Sequence, residues 1–239
     1  MGVLRTIENF VFGMDCLGCG KSSDALDPWL CPDCERRLRR ESLGMSFPAP
    51  DVFCLYPMDS LTRRLIHSLK YKSIPGMARF LVRHSSAMPG GEIYQTVDTL
   101  PRPFFFVPVP LHRARYRERG YNQAEMIARA LAELYSGRVC RWLRRRTFRV
   151  SQTKLSRSQR EWNVAGAFEV ALPARLPPRG TVFVVDDVFT TGATTFSCLN
   201  ALGRDFPLPV KVFTLLYDQP VSASADFAAD MQEFYGVEQ

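Results

Sequence analysis

The segment from Val182 to Thr194, VFVVDDVFTTGAT, constrains the fold of this chain more than any other part of the sequence. Four apolar residues lead directly into two adjacent carboxylates, Asp186 and Asp187, and a turn of small and hydroxylated residues follows at once. A short apolar run bounded by turn residues is typical of a strand that is buried on both faces. We therefore predict a strand, a tight turn and a helix in direct succession, with both carboxylates at the exit of the strand.

Apolar runs of the same kind alternate with amphipathic patterns along the chain. The stretches FFFVPVPL (104–111) and VKVFTLLYD (210–218) predict two more buried strands. Apolar residues at helical spacing predict helices over SLTRRLIHSLKYKS (60–73), AEMIARALAELY (124–135) and TTFSCLNALG (194–203). Strands that alternate with helices in this way indicate an α/β fold with a parallel sheet covered on both faces. Ligands of such folds bind at the carboxyl ends of the strands, where the two carboxylates lie.

Four of the seven cysteines fall near the amino-terminal end as two Cys-x-x-Cys pairs: Cys16, Cys19, Cys31 and Cys34. Each pair can hold one ion from two neighbouring turns, and four thiolates form the closed tetrahedral shell of a structural zinc. We therefore predict a structural Zn²⁺ at these cysteines; redox disulfides and unrelated cysteines are the alternatives. The module either stabilises a segment too short to bury its own core or binds nucleic acid or protein, with the basic helix that follows it.

The composition limits the classes of protein to which the chain can belong and indicates its expected localisation. The chain has 239 residues, of which 46% are hydrophobic and 23% charged, and its formal net charge of +7 favours an anionic partner. No stretch approaches the roughly 18 apolar residues of a membrane helix and no signal sequence is evident, so we expect a cytoplasmic protein without a membrane span. We divide the chain into an amino-terminal helix and zinc-binding module (1–45), a main domain (46–218) and an acidic tail (219–239).

Basic residues are concentrated between Arg138 and Arg160, where nine occur without an acidic residue. Clustered cations neutralise backbone phosphates, so this segment predicts a surface for single-stranded DNA. Its candidate contacts are Arg144, Arg145, Arg146 and Arg149. Aromatic residues interleaved with these charges either stack on bases or pack in the core; they are Trp142, Phe148 and Trp162.

The turn that follows the carboxylates predicts a monophosphate site. Small residues there let successive backbone N–H groups converge, the next helix adds its positive amino-terminal end, and threonine hydroxyls add donors. The residues of this turn are Thr190, Thr191, Gly192, Ala193 and Thr194. The carboxylates cannot favour the phosphate itself, so they face hydroxyls or a cation on the same ligand. A ribose 5-phosphate that carries pyrophosphate and Mg²⁺ at C1 offers all of these groups.

Together these motifs resemble a known family. VFVVDDVFTTGAT is similar to the thirteen-residue phosphoribosyl-pyrophosphate (PRPP) motif of type I phosphoribosyltransferases. The four-cysteine segment, KYK at 70–72, VPVPLHRARYRERGYNQ at 107–123 and QTKLSRSQREWNVAGAF at 152–168 resemble ComF-type proteins (competence protein F, GntX-like). The resemblance implies a type I phosphoribosyltransferase fold, a Rossmann-like parallel sheet flanked by helices, with a small amino-terminal four-cysteine zinc module.

The resemblance also implies roles for particular residues. Asp186 and Asp187 would hold the ribose hydroxyls, and the turn after them the 5-phosphate. The loop from Leu111 to Gln123 would hold pyrophosphate, with side chains from Arg113, Arg115, Arg117, Arg119, Asn122 and Gln123. A flexible loop at 152–163 would close the site with Lys154 and Arg160. The catalytic set is then Asp186, Asp187, Arg113, Arg117, Lys154 and Arg160. The alternatives are a nucleic-acid face for the first loop and a solvated basic loop for the second.

Two functions of different classes follow from these patterns. The first is transfer of a phosphoribosyl group from Mg-PRPP to an unidentified acceptor, with release of pyrophosphate and a link to DNA uptake. The second is a non-catalytic single-stranded DNA-binding competence factor, with competence or recombination proteins as partners and PRPP as an effector or relic ligand. A scaffold that docks a partner through the zinc module is a weaker third hypothesis. Thr190 stands where purine-salvage enzymes can carry a further carboxylate, so the sequence assigns no base for the acceptor.

Overall fold

The computed structural model describes residues 15–22, 25–43, 51–146, 167–173 and 175–218. Seven helices lie in these ranges: α1 Pro32–Leu43, α2 Ser60–Tyr71, α3 Gly76–Arg83, α4 Glu92–Asp98, α5 Arg113–Arg119, α6 Gln123–Tyr135 and α7 Ala193–Leu202. The same ranges contain seven strands: β1 Val52–Pro57, β2 Phe104–Pro108, β3 Arg138–Val139, β4 Leu143–Arg145, β5 Phe168–Val170, β6 Thr181–Phe189 and β7 Val210–Tyr217. The strands predicted from the three apolar runs are confirmed, as are the three amphipathic helices.

Five of the strands form one parallel sheet in the order β1-β7-β6-β2-β3. β6 is central: its residues Thr181 to Val185 pair with β2, and its pairing with β7 runs from Val182 to Phe189. β4 and β5 form a separate antiparallel pair in which Arg144 lies opposite Glu169. The predicted α/β architecture with a parallel sheet flanked by helices is therefore confirmed.

Successive side chains of each strand point to opposite faces of the sheet, so the apolar core has two halves, one on each face. In β6, Phe183 and Val185 join the half that is covered by α2, α3, α4 and α6. Val182 and Val184 join the other half, which is covered by α7 and by Trp142. Phe183 lies at the centre of the first half, and its ring is within 5.2–6.1 Å of the rings of four other phenylalanines, Phe53, Phe104, Phe106 and Phe213.

Helix α2 begins at a capping box and buries one face. The Asp59 carboxylate accepts a hydrogen bond from the Thr62 backbone N–H, and the Thr62 hydroxyl accepts one in return from the Asp59 backbone N–H. Its apolar positions are buried as the spacing predicts: Leu61, Leu65, Ile66 and Leu69. This face packs into the core, so the carboxyl end of α2, with Lys70 and Tyr71, is held at a defined position beside the sheet.

The charged stretch after β2 differs from the prediction. The sequence suggested an extended loop with an arginine at every second position, whereas residues Arg113 to Arg119 form the short helix α5. His112 caps it by accepting a hydrogen bond from the Ala114 N–H, and Gly120 ends it in the left-handed conformation at φ 77°. Helical geometry places Arg113 with Arg117 and Arg115 with Arg119 on separate rows, so the four arginines do not form one continuous face.

The four-cysteine segment is part of the main core. Cys16, Leu30 and Leu38 are each 1% exposed or less and belong to the same apolar cluster as Phe53 of β1. Ser42 belongs to α1, and its hydroxyl accepts a hydrogen bond from the Ser86 backbone N–H. Within the ranges given above, no helix has both the length and the apolar character needed to cross a membrane.

Candidate functional site

The carboxyl ends of β2 and β6 border a crevice at the point where the strand order reverses. β2 continues through α5 and α6 to β3 on one side of the sheet, and β6 continues through α7 to β7 on the other. The connections that leave these two neighbouring strands therefore diverge and leave a space between them. In open α/β sheets this topological switch point is where ligands bind.

Two carboxylates lie at this crevice, at the position the sequence predicted. Asp186 and Asp187 follow the last residue of β6 that pairs with β2, and both are half-buried. The Asp187 backbone N–H donates to Asp186 Oδ1 at 2.8 Å. Asp187 Oδ2 lies 3.1 Å from the ammonium nitrogen of Lys70 at the carboxyl end of α2. Lys70 lies in the KYK motif but was not among the predicted site residues.

The two carboxylates have different surroundings. Burial, together with the adjacent Asp187 charge, raises the pKa of Asp186 from 3.8 to about 7, and Lys70 and Arg145 only partly oppose this. Burial, reinforced by the Asp186 charge, raises the pKa of the Cys198 thiol of α7 well above its ordinary value. Asp186 is therefore the carboxyl that most needs a cation or a hydroxyl donor, because its charge is the less compensated of the two.

The predicted phosphate turn connects β6 to α7. Thr190 and Thr191 are exposed, and Gly192 adopts a left-handed conformation at φ 73° that a residue with a side chain rarely adopts. Helix α7 starts at Ala193 without a side-chain cap, and only the Thr191 hydroxyl approaches the Ala193 N–H, at 3.4 Å. The helix terminus therefore keeps N–H groups that have no hydrogen-bond partner among the described residues, beside the exposed turn, as an anion site requires.

A second anion-binding feature lies across the crevice. A cavity of about 650 Å³ is lined by Leu111, His112 and Arg113 after β2 and by residues 143–146 and Glu169 of the β4–β5 pair. Arg113 had been predicted to contact pyrophosphate, and Arg144, Arg145 and Arg146 were predicted to contact DNA. The structure brings both sets together in one cavity. Arg146 is partly neutralised by Glu169 at 3.5 Å, while Arg145 lies over the Phe168 ring at 5.3 Å.

Several residues predicted to bind pyrophosphate make contacts within the protein. Arg115 pairs with Glu118 at 2.9 Å. Arg119 donates to Gln123 Oε1 at 3.0 Å and to the Tyr71 hydroxyl at 3.3 Å. The Asn122 side chain caps α6 and donates to the Val109 carbonyl oxygen, and Gln123 is 2% exposed. Arg117 is exposed and has no ion pair with any described residue.

Some predicted residues lie outside the described part of the chain: Arg149, Lys154, Arg160, Phe148 and Trp162. The described ends of their segment are joined, because the Arg146 N–H donates to the Ala167 carbonyl oxygen at 2.9 Å. Trp142 is described, is 7% exposed and packs against Phe105 at 5.3 Å. Base stacking by Trp142 is therefore excluded in this arrangement, and its core alternative is confirmed.

The four amino-terminal cysteines form one cluster. Their Sγ atoms all lie within 4.8 Å of one another, and those of Cys19 and Cys31 are 3.9 Å apart. A methyl group added at Gly18 would lie 2.8 Å from Cys34 Sγ, so the chain can pass this close only as glycine. Burial opposes ionisation of Cys16, but N–H groups of Cys31, Cys19 and Gly18 outweigh it and lower the pKa of the Cys16 thiol to about 7. Four converging sulfurs fit a tetrahedral metal such as zinc and leave no open position.

The fold and these sites define an α/β protein with a parallel sheet, a carboxylate pair at its topological switch point and a four-cysteine cluster that can hold a metal. No family model matches the chain. It is 31% identical to the DNA utilization protein YhgH of Salmonella typhi over 156 residues, which are 63% of this chain and 65% of that protein. It is 35% identical to competence protein F of Haemophilus influenzae over 104 residues, 40% of this chain and 42% of that protein.

The YhgH protein of Escherichia coli K12 is 29% identical over 162 residues, again 63% of this chain and 65% of that protein. The chain is therefore homologous to proteins named DNA utilization protein YhgH and competence protein F, in keeping with the resemblance of its motifs to ComF-type proteins. The matched part spans just under two thirds of the length of the YhgH relatives and less than half of competence protein F.

Proposed function

We propose that the chain binds Mg-PRPP at the switch-point crevice and transfers its phosphoribosyl group to an acceptor, releasing pyrophosphate, in a cytoplasmic role linked to DNA uptake or utilization. The observation that carries the proposal is the position of Asp186 and Asp187 at the end of β6. They precede an exposed turn that starts a helix, and Arg145 of the arginine-lined cavity is close enough to lower the pKa of Asp186. The names of the relatives supply the link to DNA.

The three parts of the crevice match the three charged or polar parts of PRPP. Unpaired N–H groups at the start of α7, with the hydroxyls of Thr190 and Thr191, suit the 5-phosphate. The carboxylates of Asp186 and Asp187 suit the ribose hydroxyls, which are hydrogen-bond donors. Arg113 and Arg144, which both line the cavity, suit the pyrophosphate.

The site also fits a magnesium ion. Asp186 and Asp187 offer hard carboxylate oxygens, and Mg²⁺ binds such oxygens together with those of a phosphate ligand. The bound ion would supply charge neutralisation for the pyrophosphate. Asp186 favours such a cation, because its charge is buried beside Asp187 and a single ammonium, that of Lys70, serves both carboxylates.

The residues of the chain explain how transfer is promoted. As the bond between C1 and pyrophosphate weakens, positive charge develops on the ribose, and the adjacent carboxylates stabilise it. The arginines of the cavity accept the charge of the departing pyrophosphate. None of the described residues at the crevice is assigned as a base for the acceptor, since Thr190 carries a hydroxyl and Lys70 is paired with Asp187.

Calorimetry with Mg-PRPP tests the proposal directly. We expect binding by the natural chain and a loss of affinity of at least about 100-fold in Asp186→Asn/Asp187→Asn, because two charge-assisted contacts are removed. Asp205→Asn, on the exposed turn after α7, is the matched control and should bind as the natural chain does. Unchanged binding in the double variant would remove the carboxylates from the ligand site. Pyrophosphate release with candidate bases and amines then tests transfer itself.

One observation favours a second function, the binding of single-stranded DNA. Arg144, Arg145 and Arg146 are exposed on β4 and its exit, and only Arg146 has an ion pair, at 3.5 Å, with a described carboxylate. Arginines on an open surface give an affinity for single strands that falls steeply with salt. If Arg144→Ala/Arg145→Ala/Arg146→Ala abolishes single-strand binding and no acceptor supports pyrophosphate release, PRPP is an effector rather than a substrate.

A further inference from the structure

Two tyrosines are exposed although their rings are large and apolar. Within the described ranges, the large hydrophobic side chains that remain exposed are Tyr71 at 51%, Tyr116 at 52% and Leu172 at 38%. Isolated exposed side chains are common, but exposed aromatic rings that are fixed in position provide surfaces on which planar ligands stack. Tyr71 is fixed in this way, as its neighbours show.

The ring of Tyr71 belongs to a cluster of three planar groups. The Arg119 guanidinium carbon lies 5.1 Å from the ring centroid, and Arg119 Nη2 donates to the Tyr71 hydroxyl at 3.3 Å. The His67 ring lies 4.7 Å from the Tyr71 ring at an angle of 40°. Arg119 is itself held by the buried Gln123 at 3.0 Å, so the cluster is oriented before any ligand arrives. We call His67, Tyr71 and Arg119 the Tyr71 platform.

The platform borders the carboxylate pair. Tyr71 follows Lys70 directly, and the Lys70 ammonium lies 3.1 Å from Asp187 Oδ2. Consecutive Cα atoms are about 3.8 Å apart, so the backbone of Tyr71 lies next to that of the residue that contacts Asp187. A planar group stacked on Tyr71 is therefore close to the crevice. Tyr121 strengthens this position, because its hydroxyl donates to the Leu69 carbonyl oxygen and joins α2 to the segment after α5.

Cations flank the platform on its other side. His67 also lines a cavity of about 240 Å³ whose remaining walls are Leu17, Arg63, Arg64, Ser68 and Lys72. Arg63 lies 3.8 Å from Asp218, whereas no described carboxylate pairs with Arg64 or Lys72. An aromatic surface for a base next to free cations for a phosphate is the combination that nucleotide units require.

We propose that the Tyr71 platform stacks a nucleobase whose attached phosphate is held by Arg64 and Lys72. This second site goes beyond the proposed PRPP site and does not depend on it. The shared chemistry is a base joined to a sugar phosphate, which is offered both by a free nucleotide and by a single strand of nucleic acid. The site is distinct from the arginine cavity, which lies on the β4–β5 side of the crevice.

Two probes test the proposal on the full chain: thymidine monophosphate by calorimetry, and a fluorescent oligothymidylate of about 12 nucleotides by anisotropy. Tyr71→Ala should weaken binding at least about fivefold, because alanine removes a stacking contact. Tyr71→Phe keeps the ring and should stay within about twofold of the natural chain. Tyr116→Ala is the matched control, since Tyr116 is equally exposed, and it should also stay within about twofold.

The outcomes separate the sources of the ligand and the two proposals. Tyr71-dependent binding of the mononucleotide identifies a free nucleotide, whereas Tyr71-dependent binding of the oligonucleotide alone identifies a single strand. No binding of either probe, full binding by Tyr71→Ala, or an equal loss in Tyr116→Ala would overturn the site. Mg-PRPP binding is measured in parallel. If the natural chain does not bind Mg-PRPP but still binds one of the two probes in a Tyr71-dependent way, the proposed PRPP site is contradicted and the nucleobase site is supported.

Discussion

The ammonium of Lys70 lies 3.1 Å from Asp187 Oδ2 and joins the carboxyl end of α2 to the carboxyl end of β6. Both side chains are largely shielded, with 23% and 16% exposure. Lys70 and Arg145 together only partly oppose the burial and the Asp187 charge that disfavour the ionised form of Asp186, so Asp186 still needs further positive charge. The arrangement links the position of a helix in the first half of the chain to the electrostatics of the candidate site in the second half.

Removing this ammonium should destabilise the protein in the absence of a divalent cation. Lys70→Ala leaves two neighbouring carboxylates without their partner, and we expect a loss of about 1–3 kcal/mol in the free energy of unfolding, measured by urea denaturation. Added Mg²⁺ should restore part of this loss. Lys72→Ala, two residues on and exposed, is the control and should change stability by less than about 0.5 kcal/mol. Equal stability of the two variants would contradict a structural role for the pair.

The stability of the protein should depend on pH through Asp186. Its folded-state pKa of about 7 lies above its ordinary value of 3.8, so the folded protein keeps a proton that the unfolded chain releases. The stabilisation that comes from this retained proton is fully present below pH 3.8, and it is lost as the pH rises through about 7. Asp186→Asn should therefore gain melting temperature relative to the natural chain between about pH 5 and about pH 8, by several degrees.

Thermal unfolding across this pH range, in chelator-treated buffer, measures the difference. Asp205→Asn is the matched control, because Asp205 is exposed on the turn after α7 and should show no such trend. If the difference in melting temperature between Asp186→Asn and the natural chain does not change with pH, Asp186 is ionised in the folded protein across this whole pH range.

Loss of the metal cluster should unfold more than the amino-terminal segment. Cys16, Leu30 and Leu38 belong to the same apolar cluster as β1, so Cys34→Ser should abolish stoichiometric zinc and cost about 4 kcal/mol or more. Metal analysis and denaturant unfolding provide the two measurements. Cys140→Ser, a half-buried cysteine outside the cluster, should retain the metal. Full stability of metal-free Cys34→Ser would limit the cysteines to a peripheral role.

The centre of the sheet should be the most sensitive part of the core. Phe183→Ala removes a fully buried ring that contacts four other phenylalanines, and we expect a loss of about 3–5 kcal/mol. Leu172→Ala, at a 38% exposed side chain, should stay within about 0.5 kcal/mol of the natural chain. Chemical denaturation of both variants provides the comparison, and similar midpoints would contradict the central position of Phe183.

Local patterns predicted the three central strands of the sheet and three of the helices that flank it. Apolar runs located β2, β6 and β7, and helical spacing located α2, α6 and α7, because burial selects residues with the period of each element. The charges of the stretch at 113–119 obscure any apolar period, so the sequence predicts a loop there. In the structure His112 caps helix α5 and Gly120 ends it.

Sequence alone determined which residue types lie at the strand end and at the metal cluster, since adjacency and short spacing already place Asp186 beside the turn and the four cysteines within reach of one ion. Only the tertiary structure decided which distant groups face them. Lys70 against Asp187, Arg119 on Tyr71, and Arg113 sharing a cavity with Arg144 each depend on which connections lie side by side at the carboxyl edge of the sheet. The order of strands sets that proximity, and no local pattern in the chain encodes it.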